Sequence, residues 1–145
     1  MTLRMNKGHL NRIREHGEET YPHESCGVLV GQSVGMEIRT VLDVVRCKNT
    51  RNDFPQNRYN IDPSDLILIQ SESRLAGREI LGFYHSHPDH PAQWSVTDLA
   101  EAHWTGCSYV ITSIEKGAAM MTNSFLLLGG EEAKSFQIEE IVVID

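Results

Sequence analysis

Two histidines one residue apart, His85 and His87, end a predicted strand and could bind one metal ion. Side chains two positions apart on a strand leave the same face of a sheet, so both imidazoles can reach the same ion. Pro88 then breaks the strand. Asp98, eleven residues after His87, stands near a predicted helix start and can supply a third ligand. Two imidazoles and one carboxylate leave a fourth tetrahedral position for water, which is typical of a catalytic zinc site.

The same residues also fit interpretations that involve no zinc catalysis. A lone His-x-His pair on a strand is often an incidental surface pair. Ser95 and Asp98 have the spacing of a capping box, in which the serine caps a helix and the acid lies in its first turn. Sites with two histidines and one carboxylate also serve iron(II) oxygenases. From the residues alone, these alternatives stay open.

A competing metal motif overlaps the histidine pair. His85-x-His87-x-Asp89-His90 matches the signature of the metallo-β-lactamase superfamily, whose members also activate water with metal ions. That superfamily has a larger fold and needs further histidine and aspartate ligands well downstream. Only 55 residues follow His90, and His103 is the only histidine among them. The chain therefore lacks both the room and the ligands, and Asp89 and His90 are predicted to be loop residues.

Several classes of protein are excluded by composition. Thirteen Lys and Arg against twenty Asp and Glu give a net charge of −7, which argues against binding to nucleic acid. No stretch approaches the roughly 18 to 20 apolar residues of a membrane span, and the first residues lack an apolar secretory core, so a cytoplasmic protein is expected. Three scattered cysteines argue against a disulfide framework. The oligomeric state does not follow from the sequence.

The elements that must position these residues follow from hydrophobic periodicity and from turn residues. Helices and strands alternate early in the chain and strands dominate late, which predicts an α/β domain with a mixed β-sheet flanked by helices. Asp62 and Pro63 form a strong helix start, because aspartate caps a helix and proline suits its first turn. The predicted helices cover residues 6–18, 63–76 and 95–103, and the predicted strands cover 26–31, 36–45, 58–61, 79–87, 108–113, 119–128 and 135–144.

The combined pattern resembles the JAMM (MPN-plus, Mov34/PAD-1-like) metalloprotease family. The motif of that family is a distant Glu, then His-x-His, seven residues, Ser, two residues and Asp. In this chain its positions are filled by Glu24, His85, His87, Ser95 and Asp98. The resemblance extends over at least residues 10–114, and it includes the similar segments 21–31, 59–63 and 82–84. One departure is Trp94, where small standalone members often have proline before the serine.

The resemblance implies a fold, a cofactor and a role for each residue. It implies a single cytidine-deaminase-like JAMM/MPN domain over residues 1–145 that hydrolyses a peptide or isopeptide bond. His85, His87 and Asp98 would hold Zn²⁺, which lowers the pKa of water toward roughly 7. Glu24 would act as the general base and then as the general acid. Ser95 would donate a hydrogen bond to the oxyanion of the tetrahedral intermediate. The role of Glu24 rests on the resemblance alone.

The short chain is similar to the compact standalone prokaryotic members of the family. Several of these cut after the C-terminal Gly-Gly of small ubiquitin-like (β-grasp) sulfur-carrier proteins, so such a carrier is the expected partner and substrate. The alternatives are a deubiquitinase-like isopeptidase acting on ubiquitin-like conjugates and a non-catalytic MPN scaffold. A hydrolase of the metallo-β-lactamase type is the least favoured of the alternatives.

Overall fold

The main feature of the structure, a computed structural model that describes residues 1–35 and 37–145, is a mixed β-sheet that closes into a barrel. The described strands are β1 (Thr2–Asn6), β2 (Cys26–Val34), β3 (Ile38–Cys47), β4 (Glu79–Pro88), β5 (Ser108–Glu115), β6 (Ala118–Leu128) and β7 (Ser135–Ile144). Their order around the barrel is β1-β3-β2-β4-β5-β6-β7, and β1 also pairs with β7. The pairs β1–β3, β1–β7 and β4–β5 are parallel. The mixed sheet was predicted, but its closure was not.

Three helices accompany the strands in the described part of the chain. They are α1 (Lys7–Thr20), α2 (Pro63–Leu75) and α3 (Val96–Glu101). None of them is long and apolar enough to cross a membrane. Helix α2 begins as predicted, because the side chain of Asp62 accepts a hydrogen bond from the Ser64 amide at 2.9 Å and Pro63 is its first residue. Gly77, with φ of +72°, follows its end.

The closure of the barrel depends on β1, which sequence reasoning missed. No strand was predicted before residue 26, yet Leu3 and Met5 are both fully buried on β1. Leu3 pairs with Arg39 on β3 and with Ile141 on β7, so this short strand joins the two ends of the sheet. Asn6 is the N-cap of α1 instead of its first residue, and its side chain accepts a hydrogen bond from the His9 amide at 2.7 Å.

One other predicted element is wrong, one helix ends earlier than predicted, and one prediction is only partly testable. Residues 58–61 do not form a strand, because the side chain of Asn49 occupies their backbone groups: it donates to the Arg58 carbonyl at 3.0 Å and accepts from the Asn60 amide at 3.1 Å. Helix α3 ends at Glu101 and does not reach residue 103. Met36, where a strand was predicted to start, lies outside the described residues.

Strand β4 lies between two hydrophobic clusters, and this burial fixes the orientation of its side chains. Tyr84 belongs to a cluster that includes Ile13 of α1, whereas Phe83 belongs to a cluster that includes Ile69 of α2. A strand covered on both faces cannot slip by one residue without exchanging the two sets of side chains. The next side chain on the Phe83 side of the strand is that of His85.

A buried group of polar side chains connects five strands of the barrel. The Glu139 carboxylate on β7 accepts hydrogen bonds from Arg39 on β3 at 2.5 Å, from Ser108 on β5 at 2.6 Å and from Ser124 on β6 at 2.8 Å. Arg39 also donates to the Leu81 carbonyl on β4 at 3.0 Å. A buried ion pair that is fully hydrogen-bonded can be tolerated, but either partner alone is costly.

We therefore expect Arg39→Met to lower the free energy of unfolding by about 3–5 kcal/mol, because it leaves the Glu139 carboxylate buried without its cation. Urea unfolding of the metal-free protein measures this change. The double variant Arg39→Met/Glu139→Leu should recover most of the loss. Glu140→Gln, on the exposed neighbouring residue, is the matched control and should change little. Equal stability of Arg39→Met and the parent protein would contradict this role for the ion pair.

A second prediction concerns acid stability and His16, whose Nδ1 lies 2.7 Å from the Tyr84 hydroxyl in the core. Burial, and then the positive charge of Arg46, lower the pKa of His16 to about 4 from 6.5. Between pH 6.5 and 4 the unfolded chain binds a proton here that the folded chain does not, so stability falls as the pH falls. His16→Gln should reduce this acid-dependent loss by on the order of 1–3 kcal/mol. Unfolding curves at pH 7 and pH 4.5 test it, and identical pH dependence in both proteins would refute it.

Candidate metal centre and active-site cleft

Strand β4 carries both predicted metal-binding histidines to one place near its carboxyl end. His85 pairs in register with Cys26 on β2 and with Ile111 on β5, so neighbouring strands hold it on both sides. Only 1% of the surface of His85 and 8% of that of His87 is exposed. Their Nε2 atoms lie 3.2 Å apart. The pair is therefore a buried feature of the barrel and not an incidental surface pair.

Asp98, in the first turn of α3, completes a group of three. Its Oδ1 lies 3.3 Å from His85 Nε2, and its Oδ2 lies 3.1 Å from His87 Nε2. One ligand atom from each residue falls within 4.8 Å of the others, which is close enough for the three to hold a metal ion. Burial raises the pKa of Asp98, but hydrogen bonds from both histidines outweigh it and lower that pKa well below its usual range. The aspartate is thus a carboxylate, as a metal ligand must be.

The hydrogen bond of His87 to the backbone leaves its other ring nitrogen facing the cluster. Its Nδ1 donates to the Pro91 carbonyl oxygen at 2.8 Å, because a carbonyl oxygen can only accept. Its Nε2 lies 3.1 Å from Oδ2 of Asp98. A bond from one ring nitrogen to a carbonyl is the usual support of a metal-binding imidazole, so the arrangement fits a metal ion held by Nε2.

His85 is positioned by stacking instead of by a second hydrogen bond. The ring of Tyr59 stacks on its imidazole, with centroids 4.6 Å apart and an angle of 22° between the planes. Among the described residues, Nδ1 of His85 is buried without a partner. Burial lowers the pKa of His85 and outweighs the opposing effect of Asp98, so the ring is neutral and can bind a metal ion. The stacked tyrosine was part of the family pattern in the sequence, but its role there was not evident.

Ser95 and Asp98 form the capping box that their spacing predicts. The Asp98 amide donates to Ser95 Oγ at 3.0 Å, and the Ser95 amide donates to Asp98 Oδ2 at 2.9 Å. This interpretation and the metal-binding one are compatible, because the second bond orients the carboxylate that faces the histidines. Ser95 Oγ acts as an acceptor here, so its hydroxyl hydrogen remains available for another partner.

Glu24, in the segment before β2, is a buried carboxyl group beside this cluster. It is 3% exposed, and its Oε1 has no hydrogen-bond partner among the described residues. Burial, followed by the negative charges of Asp98 and Glu101, raises the pKa of Glu24 to about 9. A bound cation would oppose this effect of the carboxylates. An unpartnered carboxyl oxygen in such a place can accept a hydrogen bond from a water or a substrate in the cleft.

Glu24, His87 and Ser95 line one cleft of about 630 Å³. Its walls include two apolar side chains that sequence reasoning did not single out as site residues, Phe54 and Trp94, which are 65% and 38% exposed. The structure thus brings His85, His87 and Asp98 into one cluster and opens the other two predicted residues, Glu24 and Ser95, onto the adjoining cleft.

The segment that carries Glu24 is held by Asn49, a residue that no motif indicates. The Glu24 amide donates to the Pro55 carbonyl at 2.8 Å, and Asn49 Nδ2 donates to the Glu24 carbonyl at 3.2 Å. The Asn49 side chain also accepts from the Arg51 amide at 3.0 Å. One carboxamide therefore fixes both the Glu24 segment and the loop that forms a wall of the cleft. Only the three-dimensional contacts reveal this residue.

The competing metallo-β-lactamase arrangement is not formed by the described residues. Asp89 lies outside the cluster of His85, His87 and Asp98. Its carboxylate instead accepts hydrogen bonds from the Tyr21 hydroxyl at 2.5 Å and from the Lys116 amide at 2.8 Å. His90 lines the cleft but does not join the cluster.

The cluster and cleft agree with the family to which the sequence belongs. A family model described as prokaryotic homologs of the JAB domain matches residues 6–140, nearly the whole chain. The protein therefore belongs to the prokaryotic JAB family, and the resemblance to JAMM/MPN proteins is confirmed.

Two relatives and two solved structures are similar over most of the chain. A desampylase of Haloferax volcanii is 36% identical over 104 residues, 72% of each chain. A probable TtuB-protein conjugate cleaving protease of Thermus thermophilus is 30% identical over 132 residues, 91% of this chain and 80% of the relative. A protein of Desulfitobacterium hafniense has a TM-score of 0.83 at 28% identity, covering 99% of this chain and 93% of the other. One from Salinibacter ruber has a TM-score of 0.73 at 34% identity, covering 98% and 92%.

The cluster predicts a specific pattern of metal affinities. We expect His87→Ala to lower the affinity for a divalent cation on the order of 100-fold or more, because it removes a ligand and not merely an outer-shell partner. His90→Ala, which changes a histidine of the same cleft outside the cluster, should bind as the parent does. Competition with a chromogenic chelator measures both. Equal losses in the two variants would mean that the cluster is not the metal site.

Proposed function

We propose that this protein is a zinc-dependent peptidase that hydrolyses the isopeptide bond between the C-terminal tail of a ubiquitin-like modifier and a target protein. The observation that carries the proposal is the cluster of His85, His87 and Asp98 beside a buried, unpartnered carboxyl oxygen of Glu24. We further propose that residues 1–145 form a single catalytic domain. The family membership supports the class of reaction.

The set of donor atoms supports zinc as the metal. Two imidazole nitrogens and one carboxylate oxygen are the ligand set of many catalytic zinc sites, in which a fourth position stays open. When bound, zinc would polarise the substrate carbonyl and make water more acidic. His85, His87 and Asp98 would hold the ion, and both histidines are buried.

Glu24 would handle the protons of the reaction. Beside a bound cation the carboxylate form of Glu24 would be favoured, and its free Oε1 could then take a proton from the attacking water and later pass it to the leaving amine. Burial keeps other proton donors away from this oxygen and holds the carboxyl group in one place. Its backbone bonds to Pro55 and Asn49 fix the segment from which it extends.

Ser95 would stabilise the oxyanion that forms on the scissile carbonyl. Its Oγ is fixed by the bond from the Asp98 amide, and the free hydroxyl hydrogen can point to the developing negative charge. The Ser95 side chain would thus both cap α3 and stabilise the oxyanion.

The two relatives support a conjugate as the substrate. One is a probable TtuB-protein conjugate cleaving protease, and the other is a desampylase. The sulfur-carrier substrate expected from the sequence differs from such a conjugate only in the leaving amine. In both substrates the tail of the modifier must enter the cleft and be cut at its end. Phe54 and Trp94 would contact that tail from the walls of the cleft.

The decisive experiment uses Glu24→Gln. We expect this variant, loaded with zinc, to cleave a modifier conjugate on the order of 10²–10⁴ times more slowly than the parent, because the amide cannot accept the proton. Its metal affinity should remain within a fewfold of the parent's, since Glu24 is not a ligand. Mass spectrometry of the products and chelator competition measure the two quantities. Cleavage at the parent rate would show that Glu24 is not the base.

The same assay separates the alternative substrates and the scaffold function. A modifier joined through a lysine side chain and the same modifier with a linear C-terminal extension are compared under equal conditions. Preference for the linear extension would favour the sulfur-carrier function. Absence of bound zinc after careful preparation, together with no cleavage of either substrate, would favour a non-catalytic scaffold.

A further inference from the structure

The chain reverses direction directly after His87, and Asp89 is the pivot of that reversal. Its φ of +56° lies in the left-handed region, which aspartate and asparagine tolerate better than most residues. The His90 amide donates to the His87 carbonyl at 3.4 Å across the turn. The turn returns Pro91 to His87, so that the Pro91 carbonyl can accept the bond from the imidazole Nδ1.

Three bonds from two other parts of the fold hold Asp89 in place. Its amide donates to the Ile114 carbonyl at 2.6 Å, and its Oδ1 accepts from the Lys116 amide at 2.8 Å. These bonds attach the turn to the β5–β6 hairpin. Its Oδ2 accepts from the Tyr21 hydroxyl at 2.5 Å.

Tyr21 connects the turn to the segment that carries Glu24. It follows α1 and precedes Glu24 by three residues. Two further bonds attach the same segment to β4: the Ser25 amide donates to Ser86 Oγ at 2.8 Å, and the Ser86 amide donates to the Ser25 carbonyl at 3.2 Å. The Glu24 segment is therefore attached to β4 directly after Glu24 and to the His87 turn shortly before it.

From these contacts we infer that Asp89 and Tyr21 are positioning residues, which hold the turn beyond His87 and the Glu24 segment in a fixed mutual geometry. The inference rests on the proposed function for its effect on the reaction rate. Asp89 would act through the Pro91 carbonyl on the orientation of the His87 imidazole. Tyr21 would act through the backbone on the Glu24 carboxyl group.

Four single variants test these roles. Asp89→Gly keeps a backbone that permits a positive φ and removes the carboxylate, whereas Asp89→Asn keeps both the turn conformation and an oxygen that can accept from Lys116. Tyr21→Phe removes only the hydroxyl group. Glu115→Gln removes a neighbouring exposed charge and is the matched control. The measurements are kcat and KM on the conjugate, zinc affinity by chelator competition and the d–d absorption spectrum of the cobalt(II)-substituted protein.

We expect Asp89→Gly to change the cobalt spectrum and to lower both zinc affinity and kcat by about three- to tenfold, as the loss of one or two hydrogen bonds allows. Asp89→Asn should retain most of the zinc affinity and most of the kcat of the parent. Tyr21→Phe should lower kcat by about two- to fivefold, with the cobalt spectrum, zinc affinity and KM unchanged. The control should match the parent in every measurement.

A cobalt spectrum and zinc affinity of Asp89→Gly equal to those of the parent would overturn the role of Asp89, and so would Asp89→Asn behaving like Asp89→Gly. An unchanged kcat in Tyr21→Phe would overturn the role of Tyr21. If the zinc-loaded parent cleaves no conjugate, the proposed function fails, and the role of Tyr21 in the reaction fails with it. The spectrum and the zinc affinity still decide the role of Asp89 in that case.

Discussion

Strand β4 is covered on both faces by packed side chains, and the candidate metal centre depends on this constraint. Hydrophobic clusters that involve α1 and α2 hold Tyr84 and Phe83, so the strand cannot rotate or shift. The orientation of His85 and His87 is therefore fixed as well. Parallel pairing with β5 holds β4 as far as its last residue, Pro88. The rigid part of the fold thus supplies the nitrogen donors, and the shorter α3 brings the carboxylate to them.

Charge at this centre is unbalanced when the protein side chains are considered alone. Burial, followed by the negative charges of Asp98 and Glu101, raises the pKa of Glu24. Burial also raises the pKa of Asp98, but hydrogen bonds from the two imidazoles outweigh it and lower that pKa. A buried negative group without a compensating cation costs free energy. A divalent cation bound here would therefore stabilise the folded chain, by an amount that grows with the logarithm of its concentration relative to its dissociation constant.

The sequence predicted which residues come together at the candidate site better than it predicted the architecture, for physical reasons. The histidines and Asp98 lie on elements with strong local signals: an apolar strand ended by Pro88 and a capping box. Strand β1 is short, and its two apolar residues, Leu3 and Met5, give too little alternation to predict a strand. The ion pair of Arg39 and Glu139 joins residues 100 positions apart, and no local pattern predicts such a pair.

Residues 58–61 show the converse case, in which a local pattern predicts an element that the tertiary contacts prevent. Residues 58–61 have the composition of a strand, but the side chain of Asn49 competes successfully for their backbone groups. The stacking of Tyr59 on His85 likewise arises from the tertiary fold. Local pattern determines where an element can start, whereas contacts between distant segments decide whether it forms.

Closure of the barrel has a consequence for how partners can bind. Each described strand pairs with a neighbour on both sides over at least part of its length, so no strand offers a whole edge to a foreign chain. This favours recognition by side chains and loops at the rim, such as the segments that carry Phe54 and Trp94. Such segments can change in sequence without disturbing the strands beneath them. Relatives that share one catalytic scaffold can in this way diverge in the proteins they recognise.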